Sequence, residues 1–317
     1  MGPTWRCMVA DMASGRVIGV DLGGTKLLAG TVDSSLHVHH RAHRPAGSSS
    51  TAELLDTIVD AVREAREAGG GEVDAVGFGI PSLIDQERGI AVTTVHLPIH
   101  DLPFRDLMTE RLGVPVFVDN DATAAMLAEW RFGAAEDCTD AILLTIGTGI
   151  GGGMVVGGQL ARGAQGAAAE FGHMTIDVDG PLCPCGAHGC LEAFVSGTAL
   201  SREARALGLD MTAAQVAELA HDGHVGARGL VTEMGTRLGA GIANLVNAFN
   251  PQVVVVGGGV LALGDLLLAP AREEVARRAL SPSRDFVRIV PTRFGAESGM
   301  LGAAVMAFEN LGAPEPR

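Results

Sequence analysis

VIGVDLGGTKLLAGTVD, residues 17–33, reads as an apolar strand, a Gly-Gly turn and a second apolar strand. Short runs of Val, Ile and Leu bounded by glycine have the composition of buried strands. AILLTIGTGIGGGMVVGGQL, residues 141–160, repeats that order, and VVVVGGGV at 253–260 is a further buried strand opening into a glycine turn. Two copies of strand, turn and strand indicate a duplicated core with one nucleotide held between the copies. Glycine turns expose backbone N–H groups, which form a concavity suited to an anion. Gly23, Gly24, Thr25 and Lys26 make up the first turn and Asp21 precedes it, so a hydroxyl and an ammonium stand beside the amides. An ordinary hairpin also uses Gly-Gly, and Lys26 also reads as an exposed strand-edge charge. GTGIGG resembles a dinucleotide-binding G-x-G-x-x-G, but a strand follows it where a helix should, so that likeness is weak.

Working outward, strands alternate with helices. Apolar positions 54, 55, 58, 59 and 62 have helical spacing within 51–69. VDAVGFGIPS (73–82) is a buried strand, and a helix over 104–112 precedes the strand VPVFV (114–118). Helical patterns cover 191–207, 212–222, 227–248, 262–279 and 299–310, with a strand at 286–290. Residues 34–50 read as a polar loop and 83–105 as an irregular segment. The sum is an α/β architecture.

DNDATAAMLAEWRFG, residues 119–133, joins a strand to an Ala-rich helix. Asp119, Asn120 and Asp121 are each suited to cap that helix, but one cap needs only one of them. A carboxylate at a strand-to-helix junction also stands where α/β proteins carry out their chemistry.

EFGHMTIDVDGPLCPCGAHGCLE, residues 170–192, holds three of the five cysteines, Cys183, Cys185 and Cys190, ten residues and more beyond His173. Three thiolates and one imidazole are the closed ligand set of structural zinc. The alternative is a set of small buried thiols in a Gly/Pro-rich loop. A closed site leaves no open position, so such a metal holds the frame and the chemistry lies elsewhere. Glu170 and Glu192 bracket the knot.

The chain has 317 residues, enough for two lobes, and is 47% hydrophobic. A formal net charge of −14 argues against a nucleic-acid surface. Broken apolar runs argue against a membrane span, and the N-terminus lacks the pattern of a secretion signal. The cysteine usage suits a reducing compartment, so a cytoplasmic location is expected.

DLGGTK (21–26), DNDA (119–122), TIGTGIGGG (145–153), E-x-G-H (170–173), CPCGAHGCLE (183–192) and GGG (257–259) occur here in one order. In these motifs the chain resembles the ROK family of sugar kinases, and within it the glucokinases, from about residue 17 to about 310. The resemblance implies the two-lobed actin-like ATPase/sugar-kinase fold, which is ribonuclease H-like, with a cleft between the lobes. It implies a small lobe over 1–121, to which 298–317 returns, and a large lobe over 122–297 containing the zinc knot. Asp121 matches the catalytic base. Asn120, Glu170, His173 and Glu192 match sugar-binding residues, and His173 also matches a zinc ligand beside Cys183, Cys185 and Cys190. Gly23, Gly24, Thr25 and Lys26, with Thr148, Gly149 and Gly258, fit the nucleotide-contacting turns. ATP, magnesium touching Asp21, structural zinc, closure of the lobes on the sugar and a homodimer or homotetramer are expected on the same ground.

The implied reaction is phosphorylation of glucose to glucose 6-phosphate. Ser82 stands where a Gly is usual, His96 and His100 where Asn and Trp are common, Thr123 for Asn and Ala169 for Gly. These departures bear on which sugar is taken, so mannose, fructose, N-acetylglucosamine and N-acetylmannosamine stay open as acceptors, and polyphosphate as donor. The family also contains sugar-sensing repressors. Those carry a helix-turn-helix ahead of the first turn, and a first strand near residue 17 leaves no room for one. A catalytically dead sugar-binding scaffold is the third reading, which the retained Asp121 opposes.

Overall fold

The computed structural model of the protein describes residues 15–94 and 97–311, and it divides into two compact units. The first takes the chain up to Glu136, then Arg162–Ala168 and the chain from Glu297; the second takes Asp137–Ala161 and Ala169–Ala296. The division falls after Glu136 where the expectation put it at 121. The helix beginning at Asp121 stays with the first unit because it is tied to the last described helix, Ser298–Asn310. Ser298 Oγ donates to the fully buried Glu129 at 2.8 Å, and Arg131 pairs with Glu309 at 2.6 Å.

The first unit runs β1 Arg16–Leu22, β2 Lys26–Asp33, β3 Val38–Pro45, α1 Thr51–Ala68, β4 Ala75–Ile80, β5 Ile84–Asp85, β6 Ile90–Thr93, β7 His100–Leu102, α2 Phe104–Leu112, β8 Val116–Asn120 and α3 Asp121–Phe132. Its main sheet has the order β3-β2-β1-β4-β8. The first three strands are antiparallel neighbours, while β1, β4 and β8 run parallel. Val17, Ile18, Val20 and Leu22 are all buried, as expected of a strand covered on both faces. On one face lies α1, started by the Ser50 side chain accepting from Glu53 N and burying Leu54, Leu55, Ile58 and Val62. The helix Ser298–Asn310 crosses the sheet at Gly19 and Gly77. A Cβ on either would come within 2.0 Å of the Met300 or 1.9 Å of the Ala303 carbonyl oxygen, so only glycine admits that helix.

Two sequence expectations change here. The polar stretch 34–50 contains β3, an edge strand whose inward residue Ala42 is buried while His39, Arg41 and His43 are exposed. The segment 83–105 contains a small antiparallel sheet, β5-β6-β7. His96 lies outside the described residues.

The second unit runs β9 Ala141–Ile146, β10 Ile150–Val156, β11 Gln159–Leu160, then 3-10 turns at Phe171–His173 and Leu191–Ala193. α4 Gly197–Ala206, α5 Ala213–His221, α6 Val225–Phe249, β12 Val253–Gly257, α7 Asp265–Arg278, α8 Ser283–Phe286 and β13 Arg288–Pro291 follow. Its sheet has the order β11-β10-β9-β12-β13, with β9, β12 and β13 parallel and β9, β10 and β11 antiparallel. Strand for strand this is the order and sense of the first sheet, so the duplication read from the two glycine turns is a duplication of topology. No helix among the described residues is long and apolar enough to cross a membrane.

Candidate functional site

In the first unit the parallel strands β1, β4 and β8 deliver Asp21, the Gly79–Ser82 bend and Asp119–Asn120 to their C-terminal ends, the edge where α/β sheets bind ligands. Asn120 caps α3: its Oδ1 accepts from Ala122 N at 3.0 Å and Thr123 N at 3.1 Å. Its Nδ2 donates to Ser82 O over a long 3.4 Å. Asp121 opens the helix and is partly exposed, with Oδ1 accepting from Ala122 N at 2.8 Å. Of the three polar residues, one is therefore the cap, and Asp121 faces a different task. Asp21 is close enough for its carboxyl to be pushed up to about 7, chiefly by burial and further by the Asp121 charge. Two carboxylates crowded this way favour a shared proton or a bound cation.

Asp119 is a structural carboxylate. It is 3% exposed and accepts from Gln86 Nε2 at 2.8 Å, Asn120 N at 2.9 Å and Arg162 Nε at 2.8 Å. Burial pushes its pKa up, and the Arg162 guanidinium works against that. Arg162 thereby pins the strap Arg162–Ala168 beside the residue preceding Asn120. Neither Arg162 nor Gln86 stood out in the sequence. No local pattern announces an ion pair 43 residues long.

The turn between β1 and β2 is closed by Gly23 N donating to Lys26 O at 2.8 Å, and the Thr25 carbonyl accepts from Ala46 N at 3.0 Å. The Gly23 amide is thus occupied within the turn. Thr25 and Lys26 are exposed beside it.

In the second unit, Thr148 and Gly149 form the turn between β9 and β10, held by Gly197 N on Gly147 O at 2.8 Å and Thr198 Oγ1 on Thr148 O at 2.9 Å. Gly258, at φ +88°, follows β12. A Cβ there would lie 2.3 Å from the Ile146 carbonyl oxygen, so the two turns are close neighbours at the ends of parallel strands. Packing alone demands glycine at 258, whatever binds. At Gly149 a Cβ would stand 2.3 Å from Glu192 Oε2, so a side chain there would displace that carboxylate.

Glu192 Oε2 accepts from Ile150 N at 2.7 Å, while Oε1 lies 3.9 Å from Cys183 Sγ. This carboxylate therefore links the turn to the knot and has only one oxygen uncommitted to a backbone N–H. The 3-10 turn Phe171–His173 puts Glu170 and His173, three residues apart, on one side, with His173 Nε2 3.9 Å from Glu170 Oε2. Burial, with the Glu192 charge adding to it and His173 opposing it, raises the Glu170 pKa. Ala169 sits in the left-handed region at φ +68°, immediately before Glu170.

Ligand atoms of His173, Cys183, Cys185 and Cys190 all lie within 4.8 Å of one another. Cys185 Sγ is 3.7 Å from Cys190 Sγ, and Cys183 Sγ is 3.6 Å from His173 Nδ1. Tetrahedral zinc, with bonds of about 2.3 Å to sulfur and 2.0 Å to nitrogen, sets sulfurs about 3.8 Å apart and sulfur about 3.5 Å from nitrogen. The donor set fits that ion in type and spacing. Burial pushes the Cys183 thiol up to about 12, a cost that a dication offsets by holding the thiolate. The backbone supports the knot through Cys183 N on Ala187 O and Gly186 N on Cys183 O, at 2.8 and 2.9 Å. A shallow pocket rimmed by Arg63, Arg66 and Arg111 in the first unit contains none of these groups.

A family model described as ROK family matches residues 17–310. A glucokinase of Streptomyces coelicolor is 35% identical over 328 residues, spanning 95% of this chain and 99% of that one. The solved structure of a ROK family glucokinase from Streptomyces griseus, in complex with glucose and AMPPNP, matches with a TM-score of 0.86 at 36% identity, over 93% of this chain and 100% of that one. The xylose repressor of Bacillus subtilis is 29% identical over 310 residues, 96% of this chain and 80% of its own length.

Proposed function

The chain belongs to the ROK family, and we propose that it is an ATP-dependent hexokinase whose acceptor is glucose. The observation that carries this reading is similarity along nearly the whole length to glucokinases, one of which is described with glucose and an ATP analogue. The acids at the ends of β1 and β8 give it chemical content. Phosphoryl transfer has a loose transition state, so positioning and charge neutralisation dominate over proton transfer. In this reading Asp121 accepts the proton of the attacking sugar hydroxyl and orients its oxygen toward the γ-phosphorus. Asn120, with Oδ1 spent on the helix cap, contributes an N–H to a sugar oxygen. Glu170 and Glu192 accept from sugar hydroxyls, and His173 adds Nε2 while Nδ1 faces the metal.

Zinc, when bound, fixes which His173 nitrogen is free and holds Glu192 through the knot. Magnesium, when bound with ATP, neutralises phosphate charge near Asp21. Gly24, Thr25, Lys26, Thr148, Gly149 and Gly258 are assigned to the nucleotide as backbone and side-chain donors, and Gly23, whose N–H closes the turn on Lys26 O, as the residue that shapes it. Lys26 is the residue whose exposure also suits a bare surface charge. We further infer a cytoplasmic enzyme of glycolysis and carbohydrate metabolism that assembles as a homodimer or homotetramer.

The similarity to a xylose repressor supports a second reading, a sugar sensor without turnover. ADP release with Mg-ATP separates the two, measured on glucose, mannose, fructose, N-acetylglucosamine and N-acetylmannosamine against a no-sugar blank. Turnover highest with glucose is expected. Preference for another hexose would move the substrate and keep the reaction; no turnover in zinc-loaded protein would favour the sensor.

A further inference from the structure

Two features already met, Ser82 and the hairpin between β6 and β7, are joined by one hydroxyl. Ser82 follows β4 and is 3% exposed. Its Oγ accepts from Thr93 N at 3.2 Å and lies 2.9 Å from Thr93 O and 3.0 Å from Leu83 O, two carbonyls that share its single proton. Thr93 ends β6 and pairs with His100 of β7, so the hydroxyl holds the first leg of that hairpin by both its N–H and its C=O. The Ser82 carbonyl meanwhile accepts from Asn120 Nδ2. Asn120 Oδ1 is committed to Ala122 N and Thr123 N, which fixes the plane of the amide. One Nδ2 proton points at Ser82 O, and the other points away in a direction set by the first. All of these residues lie in the first unit.

We propose that Ser82 is a positioning residue for sugar selection. It holds the β6–β7 hairpin and the Asn120 amide in one frame, and so sets the direction of the N–H offered to a sugar hydroxyl. The inference rests on the hexokinase reading and on the sugar contact assigned to Asn120. A side chain without a hydroxyl would remove the tie between the buried Ser82 position and the Thr93 N–H and C=O at the end of β6. The bend would then relax toward water or another partner and carry the Ser82 carbonyl with it. Asp121 is held by a different bond, to Ala122 N, and stays in place. The proton-accepting step should therefore survive while recognition loosens.

The test is steady-state kinetics of Ser82→Ala and Ser82→Thr on glucose and on mannose, its C2 epimer, with melting curves for each variant. Ser82→Ala is expected to raise the KM for glucose about tenfold, the effect of losing one well-placed hydrogen bond, with kcat within about twofold and the KM for ATP unchanged. The ratio of kcat/KM between glucose and mannose should shift by about threefold or more, and Ser82→Thr, which restores a hydroxyl, should recover most of the change. An unchanged glucose KM would overturn the proposal. So would an equal loss on both sugars, or a fall in kcat with the KM for sugar and for ATP both raised and a lowered melting temperature, because a purely structural role predicts those. Wild-type protein inactive on every hexose would instead sink the kinase reading beneath it.

Discussion

The two five-stranded sheets share one topology and differ in what stands at their strand ends. In the first, the turn after β1 follows Asp21, and β8 ends at Asn120 with Asp121 next. In the second, the matching turn follows Thr145, β12 runs into Gly257–Gly259, and β13 ends at Pro291 with no acid beside it. The same backbone device thus carries ionisable chemistry in one copy and bare amides in the other. The second unit obtains its carboxylates differently. Glu170 and Glu192 come from the segment after β11 that also carries the His173, Cys183, Cys185 and Cys190 cluster, rather than from strand ends. If this division is right, damage to the first unit should stop turnover, and damage to the second should weaken binding.

The sharpest test is Asp121→Ala. Loss of a general base costs about 10²–10⁴-fold in rate, so kcat should fall by about 10³-fold while glucose still binds by calorimetry. A variant turning over normally would end the assignment of the base to the first unit. Next in size is Arg162→Ala, which strands the buried Asp119. Removing one partner of a buried ion pair costs about 3–5 kcal/mol, and Arg162 is itself about a third exposed at 36% of its side chain, so the low end, about 3 kcal/mol, is expected in denaturant unfolding. A change below about 1 kcal/mol would make Arg162 a surface charge.

Removing zinc, or Cys185→Ser, should weaken sugar binding about 10–100-fold, the usual scale for disturbing groups that orient a metal-held ligand. Equilibrium sugar binding is the readout, with metal content measured alongside. A metal-free protein that binds glucose normally would break the contrast, since the knot would then hold nothing the sugar needs.

Much of this contrast was legible in the sequence, for a physical reason: turns and knots are local. Gly23–Lys26, Thr148–Gly149 and Cys183–Cys190 each compress their constraint into a few neighbouring residues. β3 escaped notice because its exposed edge carries His and Arg where the usual strand signal is Val or Ile. β5, β6 and β7 are only two, four and three residues long, too short for alternation to register. Arg162 on Asp119 and Glu192 on Ile150 N span 43 and 42 residues, and no spacing rule reaches so far. Asp119, Asn120 and Asp121 all suit a cap by residue type, and only the geometry shows that Asn120 is the one that caps. The cap spends its oxygen and leaves its N–H.

A smaller effect separates the units by pH. Asp21 keeps its proton up to about 7 in the folded chain, whereas the ordinary value is 3.8. Between those values the folded state binds more protons than the unfolded one, so this group favours folding below about pH 4 and loses that contribution as pH rises toward 7. The metal-free, nucleotide-free protein should therefore melt a few degrees lower at pH 7.5 than at pH 5, and Asp21→Asn should flatten that slope. Between pH 5 and pH 7.5 the depressed carboxylates Asp33 and Glu274, both near 2 in the folded chain against ordinary values of 3.8 and 4.5, are almost fully ionised in both states and add little to the slope. An equal slope in the variant would assign the pH dependence elsewhere, Asp119 of the first unit and Glu170 of the second being the other carboxyls raised by burial.

The smallest effect probes how the second unit aims Glu170. Ala169 is held at φ +68° and 9% exposed, its methyl packed in the core with Phe171 and Ile150. The left-handed conformation costs an alanine about 1 kcal/mol relative to glycine. Burying the methyl returns about 0.8 kcal/mol, and glycine would add about 0.5–1 kcal/mol of unfolded-state entropy to overcome. These terms nearly cancel, so Ala169→Gly should change stability by less than about 1 kcal/mol. Its consequence should appear in binding instead. A hinge freed one residue before Glu170 loosens a carboxylate that Asp121, fixed at a helix start, has no counterpart for, and the sugar KM should rise a few-fold at constant kcat. A large stability loss with an unchanged KM would mean that the methyl serves the core alone, and that Glu170 is aimed entirely by the knot.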